Sequence, residues 1–439
     1  MLKVSANRRF LVHADGRPFF YLGDTAWELF HRLTLEEAVR YLEDRAAKRF
    51  TVIQAVVLAE CDGLHTPNAL GETPLIADDP TRPNEAYFKH VDAIVEQAAA
   101  RGLFIGMLPT WGDKWNRKWG SGPEIFTPAN ARTYGQFLGQ RYRDQPIIWI
   151  LGGDRPVETE GQRAILEALA EGLREGDSGT HLISFHPVGG HSSSEYFHTA
   201  PWLDFNMWQS GHTRNRDNYA CIAADYALTP VKPCMDAEPG YEDHASAFNP
   251  DNGYLDDYDV RKSLYWALFA GAHGHTYGCH PIWQMWHPGR TPISWVRRPW
   301  YEALDLPGAG QMQHARALLL SRPFLSRIPD QGLIVSDPGT GTHHIQATRD
   351  EHGSYALVYV PMGTPVEIDL ERLTGPALLA HWYNPRTGTA QRIGEMPRAG
   401  THTFAPPGGG PDWVLVLDDV TRQYPMPGTA VYPSPGVHA

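Results

Sequence analysis

Asp154 and Glu238 each follow a short apolar run, and each is followed by a proline within two residues. An acid directly after a buried strand points into the mouth of a barrel, where active sites are built. Hydrolysis of a glycosidic bond needs one carboxyl that protonates the leaving oxygen and a second that attacks the anomeric carbon or activates water. We therefore assign the acid/base role to Asp154 and the nucleophile role to Glu238. Carboxyls about 5–5.5 Å apart would indicate retention, and about 6.5–9.5 Å inversion.

Short apolar runs alternate with amphipathic helical stretches from about residue 10 to residue 300. The apolar runs predict eight strands, at 19–24, 51–58, 104–109, 147–151, 182–185, 204–208, 231–235 and 274–277. The intervening stretches predict helices, at 35–49, 85–101, 129–143, 160–174, 215–228 and 260–270. This count and length predict a (β/α)8 TIM barrel, with Asp154 after its fourth strand and Glu238 after its seventh. A doubly wound sheet is disfavoured because no GxGxxG turn follows the first strand.

The helical pattern stops after residue 322, and strand-like segments follow at close spacing. They predict strands at 332–335, 344–347, 355–360, 366–370, 377–383 and 413–417. We therefore divide the chain into a barrel domain (1–322), a small antiparallel β-sandwich (323–422) and a proline-rich tail (423–439). A protein-interaction or collagen-binding role for the sandwich is the less favoured alternative. Its two tryptophans, Trp382 and Trp413, alternate with apolar neighbours and are expected in the core.

The predicted strand ends also carry polar and aromatic side chains suited to a sugar. A sugar presents an apolar C–H face, which tryptophan matches, and a rim of hydroxyls, which Asp, Gln and His match. The candidate substrate-binding residues are Asp24, Trp27, Gln54, Trp111, His186, Trp208, Gln209, Tyr277 and His280.

Composition and motifs argue against several other classes of protein. The net charge of −12 without a basic run disfavours nucleic acid and anionic membranes as partners. No apolar run approaches the roughly 20 residues that span a bilayer. Neither a GxSxG elbow nor a Walker loop occurs, and the histidines at 273–280 lack a zinc-type spacing, so we predict no cofactor and no metal. Because residues 1–9 lack the apolar core of a signal peptide, we expect a cytoplasmic protein, or a secreted one if a leader was trimmed.

Four segments together resemble the apiosidase-like glycoside hydrolases, glycoside hydrolase family 140. They are the opening at 10–27, which ends in Gly-Asp-Thr-Ala-Trp, and the segments 149–154, 206–212 and 232–242. The resemblance covers about residues 5–320, and the C-terminal part is similar to the sandwich of that family that is labelled a collagen-binding domain. Ala237 and Gly240 depart from the family pattern, in which Gly and often Cys are expected.

The resemblance implies a (β/α)8 hydrolase whose catalytic acids fall on Asp154 and Glu238. Members of the family release apiose-linked units from the pectic polysaccharide rhamnogalacturonan II. We therefore expect a glycosidase, with a retaining two-carboxylate mechanism, that acts on plant-cell-wall oligosaccharides of the pectic, apiose-containing kind. The alternative is an inactive carbohydrate-binding barrel, which would keep the tryptophans but would not need both acids.

Overall fold

Eight parallel strands form the central sheet of the computed structural model, which describes residues 1–429. A three-stranded antiparallel sheet precedes them, made of β1 (Leu2–Val4), β2 (Leu11–His13) and β3 (Pro18–Phe19). The eight strands are β4 (Tyr21–Thr25), β5 (Val52–Leu58), β6 (Phe104–Thr110), β7 (Ile147–Gly152), β8 (Ile183–His186), β9 (Asn206–Trp208), β10 (Cys234–Asp236) and β11 (Gly274–Tyr277). The small N-terminal sheet was not predicted. Its apolar side chains pack against apolar side chains inside the barrel, at the end where the parallel strands begin.

The sheet order β8-β7-β6-β5-β4-β11-β10-β9 is that of a nearly closed barrel. The remaining gap between β8 and β9 is bridged by local hydrogen bonds. The Asp204 amide donates to the Ile183 carbonyl at 2.8 Å, and the Ser184 hydroxyl donates to the Phe205 carbonyl at 2.7 Å. The predicted TIM barrel is therefore confirmed, with Asp154 after its fourth strand and Glu238 after its seventh.

Helices surround the barrel and connect its strands. They are α1 (Leu29–Arg32), α2 (Leu35–Ala47), α3 (Glu85–Ala100), α4 (Pro128–Arg141), α5 (Glu160–Asp177), α6 (Ser194–Phe197), α7 (Asn218–Tyr226), α8 (Asp257–Phe269), α9 (His280–Trp283), α10 (Trp300–Ala303) and α11 (Pro307–Leu320). Thr34 begins α2 with the predicted cap: its hydroxyl accepts from the Glu37 amide, and the Glu37 carboxylate accepts from the Thr34 amide. Among residues 1–429, no helix is long and apolar enough to cross a membrane.

The C-terminal region is antiparallel, as predicted. Its strands are β12 (Arg327–Pro329), β13 (Gln346–Asp350), β14 (Tyr355–Val360), β15 (Val366–Asp369), β16 (Ala377–Asn384), β17 (Thr389–Pro397), β18 (Thr401–Phe404) and β19 (Trp413–Asp419). They form a six-stranded sheet, β12-β13-β14-β19-β16-β17, and a two-stranded sheet, β15-β18. Trp382 and Trp413 are buried in the core between them.

Several details of this region differ from the prediction, among them the short strand β12, which was not predicted. The expected strand at 332–335 is wrong, because Gln331–Leu333 form a 3-10 turn in which the Asp330 carboxylate accepts from the Gly332 amide. Strands β17 and β18 were missed because most of their side chains are exposed and polar, which hides the strand pattern. Of the predicted tail, residues 430–439 lie outside the described residues.

Buried ion pairs join the two regions. The Arg261 guanidinium, in α8, pairs with the Asp412 carboxylate at 2.7 Å, and both side chains are almost completely buried. Arg322 pairs with Asp418 at 2.7 Å. The Tyr265 and Tyr359 rings stack with centroids 4.9 Å apart. The sandwich is therefore fixed to the outer helices of the barrel, and the cleft described next lies within the barrel loops.

Candidate active site

Two glycines turn the chain after β7 and present Asp154 at the mouth of the barrel. Gly152 and Gly153 have φ angles of 96° and 101°, in the region that favours glycine. A Cβ at Gly152 would lie 2.2 Å from the His186 carbonyl oxygen, so no larger residue fits. Asp154 itself has a φ of 57°, and its side chain remains 23% exposed. The carboxylate therefore projects from a tight turn into the open end of the barrel.

Neighbouring backbone groups hold Glu238 just above the end of β10. The Trp208 carbonyl accepts from the Ala237 amide at 2.8 Å and from the Glu238 amide at 3.3 Å. From inside the barrel, the Gln54 side-chain amide donates to the Ala237 carbonyl at 3.3 Å. These bonds fix the backbone from which the Glu238 side chain extends.

Two histidines flank the Glu238 carboxylate. Nε2 of His186 lies 2.8 Å from Oε2, an ion-pair distance that does not meet hydrogen-bond geometry, and Nε2 of His212 lies 3.2 Å from Oε1. Burial alone would raise the pKa of Glu238, but the two histidines outweigh it and hold the pKa well below its usual range. Glu238 is therefore kept ionised, which its predicted role as nucleophile requires.

Asp154 has the opposite electrostatic environment. Burial, and next the charge of Glu238, raise the pKa of Asp154 to about 6, against the opposing effect of Arg155. The carboxyl is therefore protonated in weakly acidic solution while Glu238 is ionised. Two carboxyls whose environments push their pKa values apart can divide the work of acid and nucleophile.

A third carboxyl, Glu60, lies in the same cleft and was not predicted as a site residue. Burial, followed by the charges of Asp154 and Glu28, raises the pKa of Glu60 to about 8. Glu60 follows the end of β5 just as Asp154 and Glu238 follow the ends of their strands. That shared position is the signal by which the sequence could have identified it.

The three carboxyls line a cleft of about 500 Å³. Four of the predicted substrate-binding residues also line it: Trp27, Trp111, Gln209 and His280. The rings of Trp27 and Trp111 lie 5.3 Å apart, and both pack against His186, the partner of Glu238. The structure thus brings both predicted catalytic acids and five predicted neighbours together. Such a cleft suits a small ligand with an apolar face and several hydroxyls.

Four other predicted residues lie elsewhere, which corrects their assignment as substrate contacts. Asp24 is completely buried, and its carboxylate accepts from Tyr41 and Arg45 of α2. Strand alternation also turns Tyr277 and Trp208 outward: Tyr277 donates to Glu242 at 2.5 Å, and Trp208 packs toward α7 and α8. Gln54 points inward but below the cleft, and supports Glu238 through Ala237 as described above.

Several lining residues besides Glu60 were not among the assigned substrate-binding residues. They are Trp119, Val188, Gly189, Gly211, His212, Tyr241, His244, Phe248, Trp283, Ile293 and Ser294. His212 and Tyr241 lie within segments that carried the family resemblance, so a signal for them existed. Phe248, Ile293 and Ser294 come from the long loops after β10 and β11, whose paths no periodicity sets. Within residues 1–429, no group of three His, Cys, Asp or Glu side chains is placed to hold a metal ion.

Two family models match the chain. Residues 5–326 match the family described as "Apiosidase-like, catalytic domain", and residues 328–418 match "Putative collagen-binding domain of a collagenase". No curated protein matches the chain significantly.

Two solved structures are similar over nearly the whole length. One, described as a glycoside hydrolase, is 36% identical with a TM-score of 0.89, and the match covers 96% of this chain and 98% of the other. The other, a glycoside hydrolase family 5 protein from Bacteroides vulgatus, is 34% identical with a TM-score of 0.90, over 98% of this chain and 96% of the other. The protein is therefore a glycosidase with a carbohydrate substrate, and the chain belongs to the apiosidase-like family of glycoside hydrolases.

Proposed function

We propose that the protein is a retaining glycosidase that acts on pectic, apiose-containing oligosaccharides of the plant cell wall. The observation that carries the proposed mechanism is the pair of carboxyls with opposite environments in one cleft. Glu238 is held ionised by His186 and His212, whereas burial and the charge of Glu238 raise the pKa of Asp154 to about 6, so that Asp154 carries a proton in weakly acidic solution. The family match supports the proposed class of substrate.

The proposed reaction has two steps that use the same pair of acids. First the Glu238 carboxylate attacks the anomeric carbon while Asp154 gives its proton to the glycosidic oxygen, so that the bond to the leaving sugar breaks and a glycosyl ester forms. Asp154, now ionised, then takes a proton from water as the water oxygen attacks the anomeric carbon. The ester bond breaks, Glu238 returns as a carboxylate, and the released sugar keeps its anomeric configuration.

The charge of the cleft supports an uncharged sugar at the point of cleavage. Three carboxyls line it, Glu60, Asp154 and Glu238, and within residues 1–429 no Lys or Arg does so. A uronic acid bound there would add a second carboxylate beside the ionised Glu238 in a cleft that offers it no Lys or Arg, which is unfavourable in a buried site. Apiose carries no charge and meets this requirement, whereas galacturonic acid does not.

Sugar release from defined substrates tests the proposal. The panel contains apiosides, arabinosides, glucosides, galactosides and pectic oligosaccharides, incubated with the wild type, with Glu238→Gln and with the exposed control Glu302→Gln. We expect release from the apiose-containing substrates by the wild type and the control only. NMR of the first product should show the configuration of the substrate. Equal release by Glu238→Gln would refute the nucleophile assignment, and an inverted product would refute retention.

A further inference from the structure

Three aromatic side chains are exposed at the mouth of the barrel. Of all Trp, Tyr and Phe side chains in residues 1–429, the exposed ones are Trp119 at 57%, Phe248 at 58% and Trp295 at 61%. All three lie in loops that follow barrel strands, namely β6, β10 and β11. Single exposed apolar residues are common on proteins, but aromatic exposure confined to one rim marks a binding surface.

Trp119 lines the cleft and is held by a buried cation. The guanidinium carbon of Arg155 lies 4.3 Å from the centroid of the Trp119 ring. Arg155 is itself completely buried and donates to the Asp154 carbonyl at 2.7 Å. The indole is therefore supported from beneath beside the acid/base residue, while more than half of its surface is in solvent.

Phe248 is held on the partners of the nucleophile. Its ring packs edge-to-face on His244 at 4.7 Å and on His212 at 5.5 Å, and His212 contacts Glu238. Its backbone has a φ of 57°, a conformation that is unfavourable for a bulky side chain. The fold thus presents this ring to solvent in spite of two costs, its exposure and its backbone strain.

Trp295 shares this unusual backbone, with a φ of 66°. It follows Ile293 and Ser294, which line the cleft, and the Ser294 carbonyl accepts from His280 at 2.6 Å. Strained backbone of this kind persists where the surrounding structure fixes it, and it is enriched at functional sites. Trp295 therefore continues the cleft outward from its edge.

The three rings stand on two sides of the cleft. In the sheet order, β6 and β10 are four strands apart, which places them opposite each other in an eight-stranded barrel. Trp119 therefore rises on one side, and Phe248 and Trp295 rise on the other. A ligand that touched both sides would have to pass over Asp154 and Glu238.

We propose that Trp119 on one side, and Phe248 with Trp295 on the other, are sugar-stacking platforms for an oligosaccharide that continues beyond the cleft in both directions. Aromatic faces pack against the C–H face of a sugar ring whatever its charge, so these positions, away from the point of cleavage, also accept the acidic sugars that are disfavoured at the point of cleavage. The inference rests on the proposed function and adds that the enzyme cleaves within a chain and requires sugars on either side of the bond.

Binding to a protein that cannot turn over its substrate tests this inference. Trp119→Ala, Phe248→Ala and Trp295→Ala are each combined with Glu238→Gln, beside Ile393→Ala as an exposed apolar control on β17. Titration calorimetry uses the methyl glycoside of apiose and pectic oligosaccharides of increasing length. We expect each rim variant to bind the longest oligosaccharide about tenfold more weakly, with a smaller change for the single sugar. Trp119→Phe should recover most of the loss.

Three results would overturn the inference: rim variants that bind long oligosaccharides like the control, losses that do not depend on chain length, or no oligosaccharide binding by Glu238→Gln alone. The test separates this inference from the proposed function because it does not depend on turnover. Length-dependent binding without sugar release by the wild type would refute the proposed hydrolysis and support the platforms. Sugar release with length-independent binding would do the reverse.

Discussion

Replacing Asp154 by Asn should make the protein more stable at neutral pH while removing its proposed acid/base group. The folded protein raises the pKa of Asp154 from 3.8 to about 6, first through burial and then through the charge of Glu238. Since the ionised form is disfavoured in the folded state, Asp154 costs stability as pH rises from about 4 through about 6. Asn has a similar size, tolerates the positive φ at this position, and carries no charge.

The size of the effect follows from the shift in pKa. A shift from 3.8 to about 6 corresponds to about 3 kcal/mol when the group is fully ionised. Part of this cost is already present at pH 4.5. The difference in free energy of unfolding between Asp154→Asn and the wild type should therefore grow by about 2 kcal/mol between pH 4.5 and pH 7.5. The 23% exposure of the side chain makes these values upper limits.

Urea denaturation of wild type and Asp154→Asn, at both pH values, measures this difference. The exposed Asp305→Asn is the matched control, for which no pH-dependent gain is expected. An Asp154→Asn variant that gains no stability at pH 7.5, or gains as much at pH 4.5, would refute the raised pKa of Asp154. Loss of sugar release must accompany the gain in stability, because the amide cannot donate the catalytic proton.

Three further predictions concern the pH profile and the domain interface. The value of kcat/KM should fall as pH rises through about 6 in a pH–rate profile, because Asp154 loses the proton that it donates. His212→Ala should move the acidic limb of that profile to higher pH, because Glu238 loses one partner that keeps its pKa low. Asp412→Ala should lower the free energy of unfolding in urea by about 3 kcal/mol, because the buried Arg261 loses one of its two carboxylate partners and Arg386 loses its own.

Each of these predictions has a result that contradicts it. Activity that holds constant up to pH 8 would exclude Asp154 as the group that donates the proton. An acidic limb that stays in place in His212→Ala would mean that His186 alone sets the charge of Glu238. If Asp412→Ala unfolds like an exposed control such as Asp305→Asn, the interface contributes little to stability.

The barrel was predictable from the sequence because it depends on local patterns. Strands buried on both faces appear as continuous apolar runs, and the helices between them show their caps and their 3.6-residue period. Seven of the eight barrel strands contain most of the residues predicted for them, while β10 begins later than expected. The N-terminal sheet and β17 carry no such pattern and were missed.

Individual side chains of the site were harder to predict than the strands that carry them. Asp24 and Tyr277 end their strands as expected, yet strand alternation turns them outward, where Arg45 and Glu242 pair with them. Glu60 ends its strand in the same way and faces the cleft. The spacing of residue types along the sequence identifies where a strand ends. Only the register of the folded strand decides which of two neighbouring residues faces inward.

By itself, the sequence determined the barrel, the appended antiparallel sheets and the two acids at opposite strand ends. Those features follow from the hydrophobic periodicity of the segments and from the order of the segments along the chain, and local interactions determine both. Only the tertiary structure decided that His186 and His212 keep Glu238 ionised, that burial raises the pKa of Asp154, and that Trp119, Phe248 and Trp295 surround them. These relations join residues from different loops, and a pKa depends on distance and burial in three dimensions, which no spacing in the chain encodes.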